Sequence, residues 1–330
     1  MKLSISEARS LAEASMMVVG HSASDAAIIA DQLIDCELRG LSFGGLARAL
    51  SVVERIQQTK TPRHPIRIIH ETPISATLDG GDQVGYLVGR KAMDIAIEKA
   101  KTSRIAIVGA RETWYTGMLS YYLERIIAAG FAGIAAGSGP PRVAPHGGTE
   151  GRFTTNPIAI GVPSNGTPVI WDIGTSAIMS GEVMLARRLG KLLPEGAAFD
   201  PSGKPTRDPD EALRGAFTVW GGHKGSGLAT MIQLLGMMTG ADAAPPMIRD
   251  CGLFMLVFDP GLLGPVEDYK ERVAAYSDRM RATRPLDPAN PVRMPFERSA
   301  ADRERRLREN VIDVEDEVYN ALRRLTSSPA

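Results

Sequence analysis

The sequence of 330 residues has no surplus of charge: 38 Lys and Arg balance 38 Asp and Glu, for a formal net charge of zero. A dedicated binder of nucleic acid or of an anionic membrane needs an excess of cations, so neither partner is expected. Aromatic residues are only 5%, too few for stacking platforms along a single strand. The two cysteines, Cys36 and Cys251, are too few and too far apart for a disulfide framework or a zinc site. No metal is expected, and a reduced, cytoplasmic compartment is. Long apolar runs are also missing. No stretch approaches the ~20 residues of a membrane span, and the opening MKLSISEARSLAEA lacks the apolar segment of a signal peptide. What is present, 44% hydrophobic residues and 34 glycines, fits a loop-rich globular chain long enough for roughly two domains.

Helical signals fill the first 60 residues. Ser4-Ile5-Ser6-Glu7 is a capping-box pattern ahead of Ala8–Val19, and Ser22 precedes Ala26, Ile29, Leu33 and Leu38 at helical spacing. A third run, Phe43 to Gln58, ends at Lys60-Thr61-Pro62. The pattern then alternates. Strands are predicted over 66–70, 74–78, 104–108, 132–136, 158–162, 169–173 and 253–258. Helices are predicted over 86–101 and 118–129, after Ser176, and from Gly221 to Met238. Gly137–Thr155 and Pro194–Pro209 read as irregular, and loops that long in a compact domain are usually functional or disordered. From about Val266 the chain is charged and helical, with both signs at helical spacing, which reads as solvated helix. Together these signals predict an α/β chain. Residues 1–65 and 265–330 form a discontinuous helical domain, and 66–264 form a central domain built on a mixed sheet. The βαβ alternation is not sustained as a Rossmann fold requires.

Four places could carry chemistry. Gly221–Gly227 (GGHKGSG) runs from a strand into a helix, which presents backbone N–H groups and a positive helix end to an anion, with Lys224 as a mobile charge. The alternative is a glycine-lined helix contact with Lys224 in solvent. Asp172 ends an apolar strand, where a carboxylate must be hydrogen-bonded or have a shifted pKa; it either serves a site or caps the following turn. Arg48 follows Ser42-Phe43-Gly44-Gly45 and can hold a carboxylate bidentately, or lie solvated. Glu112, Trp114 and Tyr115 sit just after a strand, where α/β sites lie, or form a packed aromatic corner. His21, His64 and His70 read as ordinary surface residues. His146 and His223 lie in site loops without metal-ligand spacing, and no Gly-x-Ser-x-Gly supports a serine hydrolase.

In order along the chain these segments resemble the type-2 malate/L-lactate dehydrogenase family, which includes sulfolactate, ureidoglycolate and diketogulonate dehydrogenases and cyclic imino-acid reductases. The resemblance is carried by Arg39-Gly40-Leu41-Ser42-Phe43-Gly44 with Arg48, by Gly85 with Ala92–Lys101, and by Pro140–Gly148. Thr155-Asn156-Pro157, Asp172 with Thr175-Ser176, and Gly222–Leu228 complete it. It spans about Ser6 to Arg308. It implies a non-Rossmann, L-sulfolactate dehydrogenase-like fold, a homodimer, and NADH- or NADPH-dependent reduction of a 2-oxo acid or cyclic imino acid, a small molecule carrying a carboxylate. It further implies that Ile170, Asp172, Gly174, Thr175 and Ser176, then His223, Lys224 and Gly225, and finally Pro295 and Glu297 contact the dinucleotide. Arg48 would hold the substrate carboxylate, with Phe43, Trp114, His146 and Asn156 around the substrate.

The chain departs from the family pattern at two points. The usual Ser-His-Gly is Ser42-Phe43-Gly44, and the second family histidine aligns with Tyr115. Reduction of a ketone needs a proton donor with a pKa near the working pH. Phe43 supplies none, and a free phenol, near ~10, is a weak acid at neutral pH. A protonated imine demands less, because the iminium already carries the charge that hydride neutralises. The expected proton handlers are Tyr115 and Asp172, with Arg48 completing the catalytic group. Two other readings stay open: a family-derived binding protein without redox turnover, and a non-redox enzyme reusing the pocket.

Overall fold

The computed structural model describes residues 1–59 and 63–327, so the expected break at Lys60-Thr61-Pro62 lies outside the described residues. After β1 (Lys2–Leu3), helix α1 (Ile5–Val18) starts at the capping box the sequence predicts. Ser4 Oγ accepts the Glu7 N–H at 3.2 Å and Glu7 Oε2 accepts the Ser4 N–H at 2.8 Å. Ser22 caps α2 (Ala23–Leu38). A 3₁₀ turn at Ser42–Gly44 precedes α3 (Leu46–Gln58), so the single run expected from Phe43 is broken at Gly45.

The middle of the chain contributes β2 (Arg67–Thr72), β3 (Ser75–Val84), α4 (Gly85–Ser103), β4 (Ile105–Trp114), α5 (Ser120–Ala128) and β5 (Ala132–Gly137). Both β3 and β4 outrun their apolar cores. Beyond a bulge between Asp79 and Gln83 their parallel pairing resumes at Gln83–Thr113 and Val84–Trp114, which holds Glu112 and Trp114 inside the strand rather than after it. Next come β6 (Val143–Ala144), β7 (Ile158–Val162), β8 (Val169–Ile173), α6 (Ser180–Arg188), β9 (Ala198–Phe199), β10 (Pro205–Thr206), α7 (Pro209–Arg214), β11 (Ala216–Thr218), α8 (Gly222–Met238) and β12 (Cys251–Phe258). The two segments expected to be irregular thus contain structure. β6, β9 and β10 join β11 in a four-stranded sheet of order β10-β9-β11-β6. Two-residue strands have no periodicity to read. The chain closes with α9 (Val266–Arg281), α10 (Glu297–Glu309), β13 (Ile312–Asp313) and α11 (Asp316–Ser327).

The main sheet has the order β2-β3-β4-β12-β5-β7-β8. Only β3 and β4 run parallel, joined by the crossover helix α4; the other five pairings are antiparallel. This is a mixed sheet and not a doubly wound one. Along β12, Leu253, Met255 and Val257 point to the face covered by α4 and α5, while Phe254 packs with Ile232 of α8 on the other. The chain ends meet: β1 pairs with β13, and α1, α2, α3 and α11 share one buried cluster with Trp114. Helix α10 buries none of its residues, yet it is not simply solvated. Arg303 Nε donates to Asp35 Oδ1 at 2.7 Å and Arg306 Nη1 to the Glu37 carbonyl at 2.7 Å, pinning it to α2. Among the described residues no helix is long and apolar enough to cross a membrane.

Candidate active site

A cavity of about 620 Å³ lies between the first turn of α3, the segment after β4, the end of β8 and helix α6. That volume falls in the range of about 300–1,000 Å³ usual for small-molecule sites. The broken start of α3 puts Phe43 and Arg48 on one wall. Arg48 has no carboxylate within ion-pair distance among the described residues; its guanidinium lies 4.4 Å from the ring centre of Tyr115, and Nη1 is 3.8 Å from Met184 Sδ. Gly181, at the start of α6, makes this possible. A Cβ there would stand 2.5 Å from Arg48 Nη2 and 2.7 Å from Phe43 Cδ2. A half-buried guanidinium without an anion is an available site for one.

Trp114 and Tyr115 are adjacent in sequence but part in space. Trp114 is fully buried in the helical cluster, where its Nε1 donates to the Asp82 carbonyl at 3.0 Å, so it does not line the cavity. Tyr115 leaves the strand at φ +51° and turns its ring into the cavity, edge-on to Trp114 at 5.4 Å. Glu112 pairs with Arg249 at 3.1 Å, apart from the cavity lining.

Asp172 lines the cavity from β8. Its carboxylate is a cap, but for a distant helix and not for the turn that follows: Oδ2 accepts the Ser120 N–H at the start of α5, at 2.7 Å. Burial pushes the carboxyl above the ordinary range, against the opposing pull of the Ser120 contacts, the Leu119 N–H and Arg39. Replacing Asp172 by Ala should therefore cost about 1 kcal/mol of stability, whereas Asn, which keeps an acceptor oxygen, should stay within a few tenths of wild type. Urea denaturation of the two variants checks this; equal losses would deny the cap.

Of the other residues singled out in the sequence, Gly174 lines the cavity and Ile170 is core. Thr175 and Ser176 are buried, their hydroxyls donating to the carbonyls of Thr155 and Ile178. Asn156 is buried at φ +31°, Nδ2 donating to the Ala229 carbonyl at 2.7 Å. His223, Lys224 and Gly225 form the first turn of α8, outside the cavity. There His146 sits beside His223, ring centres 6.2 Å apart, with its N–H donated to Ser226 Oγ. Pro295 and Glu297 lie outside as well; Glu297 receives Arg281. The structure thus brings together Arg48, Phe43, Tyr115, Asp172 and Gly174, and leaves Trp114, His146, Asn156 and the α8 loop away from them.

Sequence reasoning passed over Arg142, Arg187, Met179 and Met184, which also line the cavity. Among the described residues Arg142 has no ion pair; it donates to the Leu213 carbonyl at 2.5 Å. Its place beside Pro140-Pro141 marked a loop, but nothing local gave its direction. Among the described residues no histidine lines the cavity, and no group of three or more His, Cys, Asp or Glu is arranged to hold a metal.

The family described as malate/L-lactate dehydrogenase matches residues 3–323. The malate/(S)-sulfolactate dehydrogenase of Methanothermus fervidus is 33% identical over 334 residues, covering 96% of this chain and 98% of its own. The NAD(+) ureidoglycolate dehydrogenase of Escherichia coli is 28% identical, over 98% of this chain and 95% of its own. In three dimensions, a dehydrogenase from Sinorhizobium meliloti superimposes with a TM-score of 0.90 at 31% identity, over 99% of this chain and 98% of that one.

Proposed function

The chain belongs to the malate/L-lactate dehydrogenase family, and on that premise we propose that it uses NADH or NADPH to reduce a C=O or C=N bond next to a carboxylate, in a 2-oxo acid or a cyclic imino acid. One observation carries the reading: an arginine with no anionic partner among the described residues, a phenol and a carboxylate meet on one cavity of about 620 Å³.

The cavity suits the nicotinamide end of such a cofactor. Met118, Met179, Ile173 and Tyr86 give it an apolar lining, and Gly174 has no side chain to fill it. A Cβ at Gly174 would overlap Met179 Sδ. The first turn of α8, with Lys224 exposed, offers an anion site for a phosphate of the same molecule. When bound, the reduced nicotinamide supplies hydride. The chain's own residues do the rest. Arg48 holds the substrate carboxylate and fixes the face presented. The Tyr115 hydroxyl gives its proton to the carbonyl oxygen, which gains negative charge as hydride arrives, and Asp172, kept protonated to higher pH than an ordinary carboxylate, stands as a second proton source. The lining without histidine favours the imine, whose nitrogen arrives already protonated.

The deciding experiment titrates the protein with NADH and NADPH by fluorescence, then follows absorbance with pyruvate, oxaloacetate and Δ1-piperideine-2-carboxylate. Oxidation of cofactor by one of the three is expected. Tight cofactor binding with no oxidation by any of them would instead support a binding protein, and substrate loss without an absorbance change a non-redox reaction. The free Cys36 and Cys251 accord with a reduced, cytoplasmic setting.

A homodimer is part of the same proposal. Met231, Leu234 and Met238 recur at helical spacing along α8 and are all exposed, and a row of large apolar side chains open to solvent is the kind of surface that a second copy covers. Light scattering should give twice the chain mass, falling toward the monomer in Met231→Lys/Leu234→Lys. A monomer in the unaltered protein would remove this part.

A further inference from the structure

We propose that Glu37 is a positioning residue for Arg48: its buried carboxylate, supplied from α2, fixes the start of the helix that carries the guanidinium. The inference rests on the reading of Arg48 as the holder of the substrate carboxylate.

Helix α3 lacks any local cap. Its N-cap is Gly45, with no side chain, and none of the usual Ser, Thr, Asp or Asn stands there. The exposed ends of a helix must nevertheless be satisfied. Here Glu37 Oε1, nine residues upstream, accepts the Leu46 N–H at 2.6 Å. Glu37 is 5% exposed and Leu46 is fully buried, so this N–H is shielded from water and has the carboxylate as its acceptor. Glycine at 45 is the complement of glutamate at 37. A Cβ on Gly45 would overlap Glu37 Oε1 and Cδ, with Cγ at 2.5 Å.

The chain of contacts continues both ways. Arg48 follows two residues after Leu46, its own N–H donated to the Gly45 carbonyl at 2.9 Å. Upstream, Arg306 of α10 donates to the carbonyls of Glu37 and Leu38 at 2.7 and 3.1 Å, holding the last turn of α2. The register of α3, and with it the place where the guanidinium meets Tyr115, therefore depends on Glu37. A negative group at a helix start is also favoured by the helix dipole. Against this, burial pushes the carboxyl up to about 7, with the Leu46 N–H and Arg306 pulling it down. A carboxyl raised above its unfolded value makes the native state bind the extra proton, so its contribution to stability is full at low pH and lost as pH rises through about 7.

Three variants test this on the full chain. The assays are hydrogen exchange over the first turn of α3 and steady-state kinetics with whichever of pyruvate, oxaloacetate and Δ1-piperideine-2-carboxylate turns over fastest. Glu37→Ala should lose protection at the Leu46 amide and raise KM about tenfold, with kcat within about twofold. Glu37→Gln, whose amide oxygen still accepts, should keep both near wild type and make the fall in Tm between about pH 5 and about pH 8 shallower, leaving the share of other buried carboxyls such as Asp172. Gly45→Ala should raise KM as Glu37→Ala does, and add nothing in the Glu37→Ala background. Should Glu37→Ala or Gly45→Ala lower Tm while KM stays put, Glu37 is structural only and the proposal is overturned. Arg48→Ala in the same assay separates the two readings. If it leaves KM unchanged, the assignment of Arg48 has failed, and the hydrogen-exchange result alone decides whether Glu37 caps α3.

Discussion

Replacing Arg48 by Ala is expected to raise KM for the carboxylate substrate roughly a hundredfold while changing kcat only a few-fold. The figure follows from the geometry. A guanidinium that meets a carboxylate with two charge-assisted hydrogen bonds contributes about 1.5–3 kcal/mol, and each ~1.4 kcal/mol is a factor of ten. Arg48 is free to make that contact because no carboxylate among the described residues neutralises it; its head lies against the Tyr115 ring and Met184 Sδ. The interaction exists in both the bound and the reacting state, so its loss falls on KM. Lysine at 48 should recover part of the effect, as a point charge without the bidentate fork. An unchanged KM in Arg48→Ala would move the carboxylate to another cation of the wall, with Arg142 next in line.

Changing Tyr115 to Phe should have the opposite signature: kcat down by at least about a hundredfold for a ketone, KM nearly unchanged. Phe keeps the ring that stands under Arg48 and edge-on to Trp114, and removes only the hydroxyl, so binding survives while proton transfer, worth about 10²–10⁴ in rate, does not. With an imine substrate the loss should be much smaller. Rapid-quench or absorbance kinetics on both substrate types reads the difference. Full activity of Tyr115→Phe toward a ketone would transfer the proton to Asp172, which Asp172→Asn then tests with the α5 cap left intact.

Much of the fold is legible in the sequence because it is written locally. Ser4 and Glu7 announce α1, and the apolar runs at 158–162 and 169–173 become β7 and β8 within a residue. What is not legible depends on partners far along the chain. β6 exists because Phe217 pairs with Val143, and β4 extends to Trp114 because Val84 is there to receive it. The cavity is the same kind of fact. Its walls come from residues near 43, 115, 172 and 181, so composition and spacing name the residue types without saying which of them meet. The Trp114-Tyr115 pair makes the point most sharply. Two neighbouring aromatics look alike in sequence, but a single positive φ sends one to the core and the other to the cavity. Glu37 gave no signal, since an acid near the end of an amphipathic helix reads as solvent-facing until Gly45 is seen packed against it.

The position of β12 governs how the chain must fold as it is made. β4 and β5, separated by α5, are not neighbours in the sheet; residues 251–258 slide between them, pairing with strands well over a hundred positions earlier. Until that segment has been synthesised, β4 and β5 each present an unsatisfied backbone edge, the sort of template on which nascent chains associate. Closing so long a loop places the completion of the sheet late and makes it slow. A chain truncated before Cys251 would lose more than one strand: it would expose two apolar edges at the centre of the molecule, and such a fragment belongs in aggregates rather than in solution.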